Sequence, residues 1–328
     1  MAILVTGGCG FIGSNFVRRW LEMNDELLIN VDKMTYAADI TLNPEFQNNP
    51  SYMWRKGSIE DMGLIAELLM VHRPRAIVNF AAESHVDNSI ANAYPFMKTN
   101  VMGTFNLLEC VRQCDPNIKF IHVSTDEVFG SLGKDDLPFD ESTAYDPRSP
   151  YSASKASSDH LVRAYHHTHG LNTMITNCSN NFGPYQNPEK LIPVIIRKAL
   201  AGERIPIYGD GTNVRDWIYV MDHVEALMDV LDMGEAGETY CVGGGNEYSN
   251  LRIAYEILDI LEIGKDLIEF VEDRKGHDFR YAINSEKIYI HLGWKPRTSF
   301  MDGLYKTVEW YKQNTSWVSK CLERSESS

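Results

Sequence analysis

The sequence predicts an α/β fold, a doubly wound parallel sheet with a smaller C-terminal α/β lobe, on three observations. Short apolar runs alternate with helical patterns through the first 180 residues, the signature of successive strand–helix–strand units. The runs Ala2–Thr6, Leu27–Val31, Ala76–Phe80 and Lys119–Ser124 are largely apolar with no polar face, as parallel strands covered on both sides must be. Near Asn180 the texture changes: "NNFGPYQNPEKLIP" brings Pro184, Pro188 and Pro193 into one loop-rich stretch.

The elements follow in order. Ser14–Asn24, Met62–Arg73 and Pro95–Cys114 read as helices between the strands, Ser152–His169 as a longer helix and Met174–Cys178 as a further strand. Beyond Asn180, Lys190–Gly202 looks helical. "DWIYVMDHVEALMDVLD" reads as a strand and an Asp222-led helix that returns to the first domain. "ETYCVGGGNE" and the helix Leu251–Leu261 belong to the smaller lobe, and the polar end of Thr315–Ser328 reads as a frayed tail. The expected division is a domain over 1–180, rejoined by about 215–235, and a lobe over 181–328.

Composition narrows the function classes. With 328 residues, 44% hydrophobic and 23% charged, the chain is long enough for two domains and ordinary for a soluble globular protein. Its 45 acids against 31 bases give a net charge of −14, which argues against nucleic acid as the main partner but leaves room for a local anion pocket. Six scattered cysteines contain no CxxC pair, and Cys110 and Cys114 lack partners at metal-site spacing. Free thiols and no metal site are expected, in a reducing cytoplasm. "MAILVTGG" begins directly on a strand, so no signal peptide is expected, and no apolar run reaches membrane-span length.

"VTGGCGFIGSN" follows the first strand and opens the first helix. Gly8, Gly10 and Gly13 fit GxGxxG, and Gly7, Gly10 and Gly13 fit the looser GxxGxxG. Such a loop makes a tight turn and lets backbone approach a pyrophosphate at a helix N-terminus. Asp32 ends the second strand nineteen residues after Gly13, close to the spacing of about 20 for a ribose-binding carboxylate. A carboxylate there accepts from ribose hydroxyls and repels a 2′-phosphate, which favours NAD over NADP. A Rossmann-type domain follows from the combination of strand, loop, helix and acid; a glycine turn without ligand is the plainer alternative.

"SPYSASKASSDH" sets Tyr151 and Lys155 four apart, on one helix face. A lysine ammonium and a nearby positive nicotinamide are expected to lower the phenol's pKa. The tyrosine can then exchange a proton with a substrate alcohol while hydride moves to or from the nicotinamide. Ser124 or Thr125, at the end of the fourth strand, could hold the same alcohol. YxxxK alone is common and mostly structural.

The glycine loop, Ser124 and the Tyr151/Lys155 pair together resemble an extended short-chain dehydrogenase/reductase. The resemblance implies transient use of NAD on a nucleotide sugar, with NAD in the N-terminal domain and the sugar nucleotide in the lobe. A 4-epimerase of this family has no use for two further acids, yet Asp126 and Glu127 follow Thr125 directly. A dehydratase has one: after oxidation at carbon 4, a base must take the carbon 5 proton and an acid must protonate the hydroxyl leaving carbon 6. "STDEVFG" is similar to the corresponding segment of dTDP-glucose 4,6-dehydratases. That likeness implies Asp126 as acid, Glu127 as base and Thr125 on the 4-hydroxyl, with dTDP-glucose as substrate. On plainer grounds Asp126 is a turn residue and Glu127 solvated.

The same resemblance implies further site residues over nearly the whole chain. Towards the cofactor it implies Gly7, Gly10, Phe11, Ile12 and Gly13 of the loop, Asp32, Lys33, Met34 and Thr35 of "DKMTYA", and Ser58 and Ile59. Phe80, Ala81, Ala82 and Ser84, then Thr99, Ser124, Tyr151, Lys155 and Asn181, complete that set. Towards the substrate it implies Ser84, Thr125, Asn180, Lys190, Leu191, Pro206, Ile207, Tyr208, Arg215, Asn246, Arg274 and His277. Arg215 suits a diphosphate, which a guanidinium grips bidentately; an ion pair with Asp216 is its plainer reading. Departures from the family pattern include Cys9 in the glycine loop, Ser58 where an aspartate meets the adenine, Asn88 for arginine, Phe182 for tyrosine and Lys275 for proline. A homodimer packed through Pro95–Cys114 and Ser152–His169 is also implied. The rival readings are a dehydratase of UDP- or CDP-glucose, a 4-epimerase, and a catalytically silent NAD-binding regulator.

Overall fold

The computed structural model describes residues 1–38, 46, 48–273 and 277–326. Strand β1 (Ala2–Thr6) leads into helix α1 (Phe11–Met23), followed by β2 (Leu27–Asp32), β3 (Tyr52–Lys56), α2 (Met62–His72) and β4 (Ala76–Asn79). Then come α3 (Val86–Ala91), a short turn α4 (Tyr94–Phe96), a π-helical stretch Met97–Gly103, α5 (Thr104–Cys114), β5 (Lys119–Thr125), α6 (Pro150–His169) and β6 (Thr173–Cys178). The second half adds β7 (Asn180–Phe182), α7 (Leu191–Leu200), β8 (Ile205–Tyr208), β9 (Val214–Tyr219), α8 (Val220–Met233) and β10 (Thr239–Val242). It ends with β11 (Glu247–Ser249), α9 (Asn250–Leu261), β12 (Ile268–Val271), α10 (Glu286–Leu292), α11 (Phe300–Gln313) and α12 (Thr315–Glu326).

Among the described residues, seven strands form one parallel sheet in the order β10-β6-β5-β4-β1-β2-β3. Chain order reverses at β1, where β2 lies on one side and β4 on the other. The register sets Thr6 opposite both Val31 and Asn79, and Asn79 opposite His122, so the carboxyl ends of these strands finish in line. A crevice at such a reversal is where open α/β sheets bind ligands. Strands β1, β4 and β5 can be near-continuous apolar runs because helices cover both faces. Phe16, Val17 and Trp20 of α1 pack with Val224, Leu227 and Leu231 of α8 on one side, and Leu68 of α2 with Leu107 and Val111 of α5 and Val162 of α6 on the other. Fully burying one such side chain contributes about 1.5–3 kcal/mol.

A separate apolar core holds the lobe together, with Ile192, Ile196, Ile205, Ile253, Ile257 and Leu304 at its centre. Around it lie the β11-β9-β7 sheet and the β12-β8 pair.

Five sequence expectations change. Strand β3 was not foreseen, because it is the sheet's edge and ends on the exposed Arg55 and Lys56. Pro95–Cys114 is not one α-helix: a π-helical stretch interrupts it. Asp222 does not lead α8; Tyr219 precedes the helix, and the Asp222 carboxylate accepts from Thr298 N at 2.9 Å. Thr239–Val242 is not part of the lobe but pairs with β6 at the sheet's other edge. The tail likewise forms a helix, α12, through Glu326.

Candidate active site

The glycine loop is shaped by protein atoms at two positions and left open at a third. Gly7 has φ +72°, and a Cβ there would lie 2.6 Å from Ala81 N. A Cβ at Gly13 would lie 2.3 Å from Gly7 O, so loop and helix meet only through glycine. Gly10 has φ −82°, and a Cβ there would meet only Gly7 O, at 3.4 Å. Its lack of a side chain clears space for whatever approaches the loop. Among the described residues no side chain caps α1, and its first residues line the cleft, a cradle suited to a dinucleotide's phosphates. Asp32 closes the far side, accepting from Cys9 N at 3.0 Å and Met34 N at 2.8 Å. Burial pushes its carboxyl above the ordinary aspartate value against those two bonds.

At the end of β5 the chain turns abruptly. The Thr125 hydroxyl accepts from Glu127 N at 3.3 Å and caps a short 3₁₀ turn that sets Asp126 and Glu127 against the cleft. Asp126 is 1% exposed. Its Oδ1 accepts from Thr125 Oγ1 at 3.2 Å, while its Oδ2 has no hydrogen-bond partner among the described residues. Burial, with the charges of Glu127 and Asp216, pushes the carboxyl well above the usual range. An upward shift of this kind favours the protonated carboxyl, the form that can donate a proton.

Opposite stands α6, started by a reciprocal cap in which Ser149 and Ser152 bond each other's backbone, with Pro150 in its first turn. This fixes Tyr151 and Lys155, both buried and both facing the cleft. Lys155 Nζ donates to Val123 O at 2.8 Å, and burial pushes its pKa down to about 8. The Tyr151 phenol is pushed well up by burial and by Glu127, against a hydrogen bond with Thr125. This is the state of the protein alone; the expected lowering requires the nicotinamide's charge as well as the lysine's.

The cleft gathers Gly7, Gly10, Phe11, Ile12, Gly13, Asp32, Lys33, Thr35, Ser58, Ile59, Phe80, Ala81, Ala82, Ser84 and Thr99. Ser124, Thr125, Asp126, Glu127, Tyr151, Lys155, Asn180, Asn181 and Lys190 line it too. Sequence reading missed Glu83, Cys178, Gln186 and Glu189 in the same wall. Glu83 Oε1 lies 3.0 Å from Lys33 Nζ, which also donates to Thr99 Oγ1 at 2.8 Å. Glu189 accepts from the Tyr36 hydroxyl at 3.0 Å, and Lys190 donates to Ser84 O at 3.2 Å, so the loop after β7 is fastened across the cleft mouth. Glu189 and Tyr36 sit inside segments already singled out by motif, which was the available signal.

Other expected residues stand apart from this wall. Met34, at φ +62°, does not line the cleft. Nor do Leu191, Pro206, Ile207, Tyr208, Arg215, Asn246 and His277. Ile207 is packed in the lobe core, and the Asn246 amide is bonded to Gly244 O and Trp217 O. Arg215 is not paired with Asp216, whose carboxylate accepts from the amides of Gly244 and Asn246. Its guanidinium donates to Val214 O at 2.7 Å and Asp278 O at 2.9 Å and lies 4.3 Å from the centre of the Tyr281 ring. His277 Nδ1 lies 2.7 Å from Asp273 Oδ1. Arg274 and Lys275 lie outside the described residues.

Comparison with known proteins agrees with this geometry. A family described as GDP-mannose 4,6 dehydratase matches residues 4–307. The dTDP-glucose 4,6-dehydratase of Xanthomonas campestris pv. campestris (strain B100) is 49% identical, over 98% of this chain and 96% of the relative. dTDP-glucose 4,6-dehydratase 1 of Escherichia coli K12 is 48% identical, over 97% and 94%. Among solved structures, the dTDP-glucose 4,6-dehydratase DesIV of Streptomyces venezuelae, with NAD bound, superposes with TM-score 0.94 at 46% identity, over 98% of this chain and all of that one. The UDP-glucose 4-epimerase of Thermotoga maritima reaches TM-score 0.89 at 29% identity, over 96% of this chain and 100% of that chain. Sheet, glycine loop and tyrosine–lysine helix define an extended short-chain dehydrogenase/reductase. Within that class the chain belongs to the dTDP-glucose 4,6-dehydratase family.

Proposed function

We propose that the chain dehydrates dTDP-glucose to dTDP-4-keto-6-deoxyglucose with NAD, as a step in deoxysugar synthesis. The observation that carries this reading is Asp126: a buried carboxyl in the cleft, one oxygen without a partner, beside a second acid and the Thr125/Tyr151 hydroxyls. Bound NAD would accept a hydride at the start and return it at the end. The residues suited to hold it are the open amides of α1, Asp32 for the ribose hydroxyls, and Lys155. With the charges of Lys155 and of a bound nicotinamide beside it, Tyr151 would act as the phenolate and take the proton of the 4-hydroxyl while Thr125 holds that oxygen. Glu127 removes the carbon 5 proton, and Asp126 protonates the carbon 6 hydroxyl, which leaves as water. With the hydride returned to carbon 6 and a proton to carbon 5, the overall change is loss of one water.

We assign NAD to the sheet domain and the sugar nucleotide to the lobe, with Arg215 and His277 towards the diphosphate. The exposed Tyr94, Met97 and Met102, around the π-helical stretch beside α5, support a homodimer packed through this region and α6. Six free thiols suit the cytoplasm.

Proton NMR of the purified protein with dTDP-glucose and no added NAD tests the reading, with UDP-glucose in parallel. A new methyl doublet with dTDP-glucose is expected. A faster doublet with UDP-glucose would reassign the nucleotide, and appearance of the galactose epimer would replace dehydration with epimerisation.

A further inference from the structure

Tyr151, Lys155, Asp159 and Arg163 follow one another at intervals of four on α6. At 3.6 residues per turn they share one side of the helix. The last two have no part in the reaction as proposed, yet Asp159 is 0% exposed and lies beneath the catalytic pair.

Three donors converge on one oxygen of Asp159. Its Oδ2 accepts from the Ser124 hydroxyl at 2.9 Å, the Tyr145 hydroxyl at 2.9 Å and Asn177 Nδ2 at 3.2 Å. Burial pushes this carboxyl above its ordinary value; the Lys155 charge and the three donors oppose that and favour the ionised form. Tyr145 in turn accepts from Arg163 Nη2 at 2.7 Å, and the Arg163 guanidinium lies 4.7 Å from the centre of the Tyr145 ring. The stripe therefore alternates in sign: Lys155 positive, Asp159 negative, Arg163 positive.

The neighbours of Lys155 leave Asp159 as its counter-charge. His122 comes within 3.4 Å of Lys155 Nζ, but it is neutral. Thr6 donates to Asn79 Oδ1, Asn79 Nδ2 donates to His122 Nδ1 at 3.1 Å, and the ring proton is thereby set on Nε2, towards Ser158 at 3.0 Å. Burial and the Lys155 charge hold His122 well below its ordinary pKa. Cys178, from β6, has its thiol pushed up to about 12 by burial and carries no charge near neutral pH. Tyr151, on the same helix, is likewise uncharged. Asp126 and Glu127, at the turn after β5, act on the Tyr151 phenol, whereas the charge that raises Lys155 most is that of Asp159.

We propose that Asp159 is a positioning residue: its buried carboxylate keeps Lys155 charged and holds the Ser124 proton, so that Ser124 faces the cleft as an acceptor. Arg163, acting through Tyr145, holds Asp159 in place. The proposal rests on the roles assigned to Tyr151 and Lys155 above.

The direction of its consequence is fixed. Asp159 raises the pKa of Lys155 against burial. Removing its charge makes Lys155 lose its proton at lower pH.

The test uses Asp159→Asn, which keeps the volume, with Tyr145→Phe as a milder variant that removes one donor. Competitive acetylation of the NAD-free protein across pH, read at Lys155 by mass spectrometry, reports the lysine directly. The midpoint is expected to fall by about one pH unit in Asp159→Asn and by less in Tyr145→Phe. In dTDP-glucose turnover, the high-pH limb of kcat should move down with it, and kcat should fall about tenfold with KM nearly unchanged. An Asp159→Glu variant should recover part of both effects. Unchanged midpoints in Asp159→Asn and Tyr145→Phe overturn the proposal. A wild-type protein that does not turn over dTDP-glucose counts against the functional reading, and the acetylation midpoints still decide this one.

Discussion

The Nδ1 of His223 lies 2.9 Å from the Oδ1 of Asn181, and this bond joins α8 to the strand that opens the cleft-mouth loop. Asn181 Nδ2 is already donating to Ser179 O, so its oxygen is the acceptor and the histidine proton sits on Nδ1. His223 is fully buried, and burial pushes its pKa down to about 3. In the unfolded chain it titrates near the ordinary value, about 6.5. Between those values the unfolded state takes a proton that the folded state refuses. Stability is therefore full above pH about 6.5 and falls by about 1.4 kcal/mol per unit as the pH drops towards 3. His223→Gln can keep the bond to Asn181 without the titration. Urea unfolding at pH 7 and pH 5 should show the gap between the two narrowed by about 2 kcal/mol in the variant. An equal gap would mean that His223 is not held neutral.

The glycine loop allows folding and cofactor binding to be separated. Gly13→Ala drives a methyl into the Gly7 carbonyl, so a loss of stability of about 2 kcal/mol or more is expected in thermal unfolding. Gly10→Ala meets only one protein atom, at 3.4 Å. Its melting temperature without NAD should stay within a few degrees of wild type while NAD affinity, by calorimetry, falls about tenfold or more. Unaltered affinity in Gly10→Ala would show that nothing approaches the loop at that point.

Tyr151→Phe and Glu127→Gln should stop the reaction at different stages. The phenol variant loses the first proton transfer, so no absorbance of reduced NAD should appear on adding dTDP-glucose. The glutamine variant should oxidise the sugar and then stall, with 340 nm absorbance rising and turnover reduced at least 10²-fold, a typical size for loss of an acid–base group. Normal turnover in Glu127→Gln would remove it as the base.

Arg215 donates to the backbone carbonyls of Val214 and Asp278 and lies over Tyr281. Lysine keeps the charge but cannot form the fork. Titration of Arg215→Lys with dTDP should give a Kd about tenfold weaker. Unchanged affinity would place the arginine in the scaffold alone.

What the sequence made legible follows a physical divide. Strands β1, β4, β5 and β6 declared themselves because burial on both faces demands apolar residues. Edge strand β3 did not, since Arg55 and Lys56 are free to be polar there. Nothing local in Thr239–Val242 says that it leaves the lobe to lie beside β6. In the site, the glycine loop, Asp32 and the Tyr151/Lys155 pair are patterns of spacing within one or two elements. The Tyr36–Glu189 bond spans 153 positions and Ser124–Asp159 spans 35, and no local pattern announces either. The burial that pushes the Tyr151 phenol up in the protein alone is likewise invisible locally: the lysine is four residues away in sequence, whereas burial is a property of the assembled sheet.

The place of β10 also bears on how the protein is made. Residues that line the cleft all precede position 191, and β6 is complete at Cys178, yet the strand that covers its outer edge begins only at Thr239. A chain leaving the ribosome therefore carries an incomplete cofactor domain, its β6 edge bare and its α1 face still awaiting α8, while about sixty more residues are synthesised. Translation runs at about 5–20 residues per second, so that interval lasts several seconds. An uncovered edge of this kind invites pairing with another chain. Premature termination within the lobe should yield aggregating fragments rather than a soluble dinucleotide-binding half.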